Sequence, residues 1–350
     1  MTTMAVPTRP VRNVPAPRLP WRRMAWVVWR QHRLTLAGVL ALFGATALYL
    51  VFTGQQIHHA YAIATACRPA GSGACRQALN NFADDYSSTA QIAAALLQVV
   101  PALIGAFAGA PLLAREFETG TFRYAFTQGF GRMRWTLAKL ASLAVVVVVV
   151  AAAFSVLFSW CYGPIFGDSG YGTSPLEPIF FDLRGVAFPA WTLAAFAVGI
   201  LAGVLIRRVI PAMFATLAAW AGLAVITGMF LRRHYMSPLV TTNPNIGPPA
   251  WVMSEVWTKG GIPVSLSTIQ QSLGQAGVRA VTPEVFQPGP STPANFDPVK
   301  YLLQHGFAQV TTYEPASRFW AFQWIEGAWL LALSIALIAA TLWLVRRRAT

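Results

Sequence analysis

The segment LAKLASLAVVVVVVAAAFSVLF, residues 137–158, decides the fold class. Its six consecutive valines, taken alone, favour a strand, because β-branched side chains suit a pleated surface. Taken whole, the segment is an apolar run long enough to cross about 30 Å of hydrocarbon as a helix of about 20 residues. In lipid every backbone N–H and C=O needs a partner, and a helix supplies these internally. Length outweighs the valine preference, so the segment predicts a membrane-spanning helix. Lys139, near its end, has a stem long enough to carry its ammonium to the interface.

Five further runs have the same character: approximately Leu34–Phe52, Ile92–Ala114, Gly185–Ile206, Pro211–Phe230 and Gly327–Val345. Composition agrees: 55% of residues are hydrophobic and 11% charged, where a soluble domain carries about 25% charged residues. The first run lies behind more than thirty residues with a basic character and ends without a small-residue cleavage pattern. It reads as a retained span rather than a signal peptide.

Six spans put both termini on one side. If that side is cytoplasmic, segments 1–33, 115–139, 207–210 and 346–350 carry +15 and the other side −1. Excess Lys and Arg in cytoplasmic segments is how such chains are oriented. The expectation is a multi-pass protein of the plasma membrane with both termini cytoplasmic. The same asymmetry accounts for the net charge of +14 without a nucleic-acid partner. Arg232-Arg233-His234 falls on the outer side as a local exception.

Cys67 and Cys75 lie in the first external loop, expected over 53–91, with a Gly- and Pro-containing spacer. That compartment permits a disulfide; free thiols or an intermolecular link are the alternatives. FADDYSS reads as a cap leading into the second span. His58 and His59 read as loop residues, and no metal site is expected. Cys161 reads as a small packing residue.

Residues 1–20 read as a loose tail. Over 21–33, WRRMAWVVWRQHR, a helix places Arg22, Arg23, Arg30 and Arg33 in one sector about 100° wide, opposite Trp21, Met24 and Val28. With Trp26, these residues suit a short interfacial helix resting on membrane lipid; a basic flank that merely orients the first span is the alternative. Residues 34–230 hold five spans. Region 231–326 contains eleven prolines and no cysteine and reads as external, with short helices only. Candidates there are Ser267–Ala280 and DPVKYLLQHG, with Asp297 as cap, Pro298 in the first turn and Gly306 as stop. Residues 327–350 are the sixth span and a basic tail. Glu326, just before it, is expected at headgroup level, a membrane-embedded functional position being the alternative, and a direct pair with Arg318 is disfavoured by about 12 Å of helical rise.

Gly105 with Gly109 and Gly199 with Gly203 form two G-x-x-x-G pairs, which let helix backbones approach. Pro101 and Pro111 are expected to bend the second span. The connection 115–136 is richer than a link requires, with Phe117, Phe122, Tyr124, Phe126 and Phe130 interleaved with charge. It suits docking of a soluble partner, with simple headgroup contact as the alternative; Glu116 and Glu118 would pair with the partner's Arg or Lys or hold the connection through Arg115 and Arg123.

That connection carries a resemblance. LLAREFETGTFRYAFTQGFGRMRWTLAKL, 112–140, resembles the intracellular loop after the second span in permease subunits of ABC-2-type (type V) exporters. The resemblance places Glu116, Glu118, Gly120 and Thr121 on the acidic-then-GT motif. It makes Phe122–Gln128 a coupling helix, and sets Arg132, Arg134 and Lys139 on the basic positions that follow. Residues 21–33 look like the family's connecting helix. RRHY, 232–235, and YEPASRFWAFQWIE, 313–326, are similar to actinobacterial ABC permease-like proteins.

The resemblance implies an all-α polytopic membrane protein with six transmembrane helices, an amphipathic N-terminal helix, a cytoplasmic coupling helix and a long external or partly re-entrant region between helices five and six. It also implies two copies of a separate ATPase and a second permease chain, identical or homologous. ATPase contact would fall on Glu116, Phe117, Glu118, Gly120, Thr121, Phe122, Arg123, Tyr124, Phe126, Arg132 and Arg134. No G-x-x-x-x-G-K-[ST] phosphate loop occurs in the sequence, so ATP and Mg2+ belong to the partner and no cofactor to this chain. Polar Thr46, Gln98 and Thr227 are candidate residues of a path for an amphiphilic or hydrophobic cargo; bonds to their own helix carbonyls are the alternative. A non-transporting scaffold or sensory permease, a secondary transporter and a membrane enzyme are weaker readings. The spans lack central carboxylates for the second, and no reactive constellation supports the third.

Overall fold

The computed structural model describes residues 21–68, 72–118, 132–166, 173–243, 246, 249–280, 286–288 and 296–348. Among them six helical stretches are long and apolar enough to cross a membrane: Leu40–Thr65, Gly73–Glu118, Thr136–Cys161, Ala187–Ile206, Val209–His234 and Ala316–Arg347. The valine run lies inside a helix, Arg132–Cys161.

The first helix runs unbroken from Trp21 to Thr65, well past the expected end at Phe52. Residues 53–65 contain no proline, and Gly54 faces Trp160, where an added Cβ would sit 2.6 Å from the indole. The next helix already begins at Gly73, with Ser72 Oγ accepting from the Cys75 N–H at 3.2 Å. Most of the expected loop 53–91 is thus a helical hairpin, and FADDYSS lies inside a helix rather than capping one. Cys67 and Cys75 are disulfide-bonded across the hairpin turn.

The second span is interrupted. Its helix ends at Leu97, resumes over Val100–Ile104 with Pro101 in the first turn, passes through a π turn at Gly105–Gly109 and finishes as Ala110–Glu118. Proline removes one intrahelical donor and crowds the carbonyl one turn back, so the break precedes Pro101. Gln98 Nε2 donates at the break to Pro178 O and Ile179 O, both at 3.0 Å.

The fourth span, Ala187–Ile206, is the most buried of the six and the fifth the least. The two G-x-x-x-G pairs meet within the chain. A Cβ on Gly199 would stand 2.2 Å from Gly105 O, and one on Gly203 2.5 Å from Ala110 O. Small residues therefore seat span two against span four. Arg207 then takes a left-handed conformation, φ 59°, and its N–H bonds Gly203 O at 3.0 Å. This is an αL stop that turns the chain into span five within two residues.

Region 231–326 differs from the expectation of short helices alone. It contains a four-stranded antiparallel sheet in the order β1-β6-β2-β3, with β1 Leu239–Thr241, β2 Trp251–Lys259, β3 Ile262–Pro263 and β6 Phe307–Glu314. A two-stranded pair, β4 Val278–Ala280 and β5 Phe286–Pro288, accompanies it. β2 and β3 are joined by Gly260-Gly261, both at positive φ, as a two-residue hairpin turn demands. The predicted helix from Ser267 is shorter, Leu266–Gly274, because Val278–Ala280 is strand. The predicted DPVKYLLQHG helix forms as Pro298–Gln304: Asp297 Oδ1 accepts from the Lys300 N–H at 3.1 Å, and Gly306 has φ 78°. Trp257, Ile269, Leu273, Val278, Leu302 and Phe307 form the core of this unit. Trp251 instead packs with Trp191, Phe319 and Phe322, which seats the sheet on the ends of spans four and six. The fold is an all-α membrane bundle with a β-rich insertion between spans five and six.

The sixth helix begins at Phe319 rather than near Gly327. Glu326 is therefore inside it, and its side chain is fully buried within the protein.

Candidate functional site

Polar side chains concentrate at the two ends of the bundle. At the end shared with the chain termini, span two finishes in Arg115-Glu116-Phe117-Glu118. Glu116 Oε1 accepts from Lys139 Nζ at 2.5 Å, and Lys139 is almost wholly buried. Lys139 thus ties span three to span two instead of reaching for the interface. Glu118 Oε2 accepts a long bond, 3.4 Å, from the backbone N–H of Val209, the first residue of span five. An anion there satisfies one of the free N–H groups of a helix start and complements its dipole. The Arg207 guanidinium lies 5.9 Å from the Phe117 ring centroid. Of the residues expected at a partner contact, Glu116, Phe117 and Glu118 are thus drawn together with Lys139, Arg207 and Val209.

Gly120, Thr121, Phe122, Arg123, Tyr124 and Phe126 lie outside the described residues. Arg132 and Arg134 occupy the first turn of the third-span helix. Trp21, Arg22, Arg23, Trp26, Arg30 and Arg33 lie on the first helix, continuous with its span.

The expected path residues do not converge. Thr46 Oγ1 donates to Leu42 O at 2.7 Å on its own helix. Gln98 stitches span two to the connection between spans three and four. Thr227 is buried at the head of a π turn, Thr227–Leu231, and its hydroxyl has no partner among the described residues.

The opposite end holds a network that the sequence reading missed. Arg232, fully buried at the end of span five, donates from Nε to Glu326 Oε2 at 3.1 Å and from Nη2 to Glu326 Oε1 at 2.9 Å. The same Nη2 bonds Asp182 Oδ1 of the connection between spans three and four. Glu326 also accepts from Trp191 Nε1 at 2.8 Å and from Tyr235 OH at 3.1 Å. Arg232 stacks 4.5 Å from the Phe181 ring centroid. A signal existed: Arg232 and Glu326 are the charged residues nearest the facing ends of spans five and six, and charges beside apolar runs come in pairs. The spacing of Arg318 and Glu326, eight residues apart, points to neither as the other's partner. Arg318 Nη1 instead bonds Glu314 Oε2 and Ser237 O, each at 2.8 Å.

Next to this network, Gln323 accepts the Ala187 N–H at 2.8 Å and donates to Phe181 O at 3.0 Å, joining span six to the start of span four. A small cavity of about 30 Å³ lies beside it, lined by Gln98, Pro101, Asp182, Trp191, Trp220 and others. His58 stacks on Trp160 at 5.0 Å and meets its carbonyl at 2.9 Å. Among the described residues no three His, Cys, Asp or Glu side chains gather as a metal site would require.

A family model described as ABC-2 membrane transporter related matches residues 39–232. The chain belongs to this family. The ABC-2-related match takes in spans one to five, including Glu116, Glu118, Lys139 and Arg207, and ends at Arg232. The β-rich insertion and span six lie beyond it. Such a family describes a membrane permease-related domain, not a catalytic one, and a transport-related role accords with six apolar spans. No curated protein and no solved structure matches the chain.

Proposed function

We propose that this chain is the membrane-spanning permease subunit of an ATP-driven exporter, served by a separate cytosolic ATPase. The observation that carries this reading is the pinning at the end of span two. Glu116 grips span three through Lys139, and Glu118 grips the start of span five. A force applied to the connection 119–131 is therefore passed to three spans together. The ABC-2-related match supports a docked ATPase there, and the charge asymmetry of +15 against −1 supports a cytoplasmic position for that end and both termini. Two ATPase copies and a second permease chain complete the assembly. The spans are apolar and carry few charges, which suits an amphiphilic or hydrophobic cargo moved outward.

The test is co-purification of the full chain with a tagged candidate ATPase, followed by ATP-dependent efflux of an amphiphilic dye from vesicles. Phe122→Ala and Arg123→Glu are expected to weaken association while membrane insertion is preserved. Glu116→Lys is expected to keep association but lose efflux, and Glu116→Lys with Lys139→Glu to recover part of it. Undiminished association and efflux in the two loop variants would overturn the docking role.

A further inference from the structure

The network at the far end carries one guanidinium and two carboxylates, so its formal charge is −1 when all three ionise. The two acids are not equivalent. Glu326 accepts from Arg232 Nε, Arg232 Nη2, Trp191 Nε1 and Tyr235 OH. Four donors, two of them cationic, fix it as an anion. Among the described residues Asp182 has one donor, Arg232 Nη2, the nitrogen it shares with Glu326, and its carboxyl lies within hydrogen-bonding reach of the Glu326 carboxylate. Its side chain keeps 26% of its exposure and lines the cavity of about 30 Å³, room for about one or two waters. One carboxylate is thus saturated, and the other is short of donors, next to a like charge and within reach of water.

We propose that Asp182 is a proton-binding site whose occupancy sets how tightly the ends of spans five and six hold the connection between spans three and four. With the proton bound, the cluster is neutral and Arg232 bridges Glu326 and a neutral Asp182. On its loss, two like charges compete for one nitrogen and the connection is pushed from span six. The charged and titratable groups that bear on Asp182 are few. Arg232 comes from span five, Glu326 from span six with Tyr235 behind it, and Glu177 and Arg184 share its connection. Spans two and four offer Gln98, Pro101, Phe188 and Trp191, which are neutral. Burial raises the Asp182 carboxyl above its ordinary value, with Arg232 opposing and Glu326 adding to the rise. The inference stands whether or not an ATPase docks at the other end.

Linkage fixes the sign. A carboxyl whose folded value lies above the unfolded one binds its proton more readily in the folded protein, so stability rises as pH falls through the folded value. The experiment uses the full chain in lipid nanodiscs, following the protonated-carboxyl C=O band by infrared difference spectroscopy and the melting temperature across pH. The expected band has a midpoint well above the ~3.9 of a free aspartate. It is absent in Asp182→Asn, whose melting temperature also loses the rise on acidification. Should Asp182→Asn not fold, Asp182→Glu serves: it is expected to keep a band with a displaced midpoint. A wild-type chain with no such band, or a band that survives in Asp182→Asn or is unmoved in Asp182→Glu, overturns the proposal.

Discussion

Replacing Gly199 with alanine puts one methyl group into the tightest place in the bundle. The added Cβ would lie 2.2 Å from Gly105 O, 2.9 Å from Ala110 N and 3.0 Å from Gly105 C. All three are backbone atoms, so no side chain can swing aside. Spans two and four must separate by about 1 Å to restore ordinary contact, and the other close approaches along the seam, Gly203 to Ala110 O and Gly105 to Ala195 O, open with them. Overpacking of this kind costs typically 1–3 kcal/mol, and the absence of a flexible neighbour puts Gly199→Ala at the upper end, about 3 kcal/mol. The control is built in: Gly222 and Gly228 lie in span five with nothing within 4 Å of an added Cβ. Alanine there is expected to be neutral or to stabilise by up to about 1 kcal/mol through helix propensity. The assay is reversible unfolding of the full chain in mixed micelles, comparing the three variants. A Gly199→Ala protein as stable as Gly222→Ala would refute the seam.

Two other perturbations follow from the same contacts. Arg232→Ala strands the buried Glu326 carboxylate and takes the cationic donor from half-buried Asp182, and is expected to cost about 3–5 kcal/mol in that assay; adding Glu326→Gln should recover part of the loss, and a cost below about 1 kcal/mol would show the network to be dispensable. Reduction of Cys67–Cys75 should destabilise the wild type by about 2–3 kcal/mol, the entropy of a short closed loop, and leave Cys67→Ser/Cys75→Ser unaffected; equal responses of the two proteins would contradict this.

The spans were legible because the bilayer imposes one length on all of them, and a valine run cannot evade it. Their ends were not. Residues 53–65 are polar enough to read as loop, yet nothing in TGQQIHHAYAIAT breaks a helix before Thr65. The sheet was hidden by the eleven prolines of 231–326, which argued against regular structure. Among the described residues, Pro238, Pro249, Pro298 and Pro315 stand outside strands and Pro263 and Pro288 at strand ends, and WVMSEVWTKGGIP does carry a hairpin signal in its paired glycines between extended segments. The charged network was the least readable part. Asp182, Arg232 and Glu326 are brought together only when one connection and the ends of two spans fold onto one another, a relation with no local periodicity. At the other end the acidic pair was recognised, but its partners were sought in Arg115, Arg123 or another protein. Burial of Lys139 settles Glu116 within the chain.

The two ends bear on the same element. Span five is the least buried of the six, so packing along its length contributes least to holding it. Polar groups at its extremities act in addition: Glu118 on the N–H of Val209 at one end, and Arg232 with Glu326 and Asp182 at the other. A helix weakly packed along its flank and tied at its tips is displaced by changes at either tip with little disturbance of the core. The seam between spans two and four is the reverse case, with backbone against backbone and no slack. Relative movement in this bundle is therefore cheaper for span five than for the pair formed by spans two and four. Loosening either tie should raise hydrogen exchange in span five before it does so in span four.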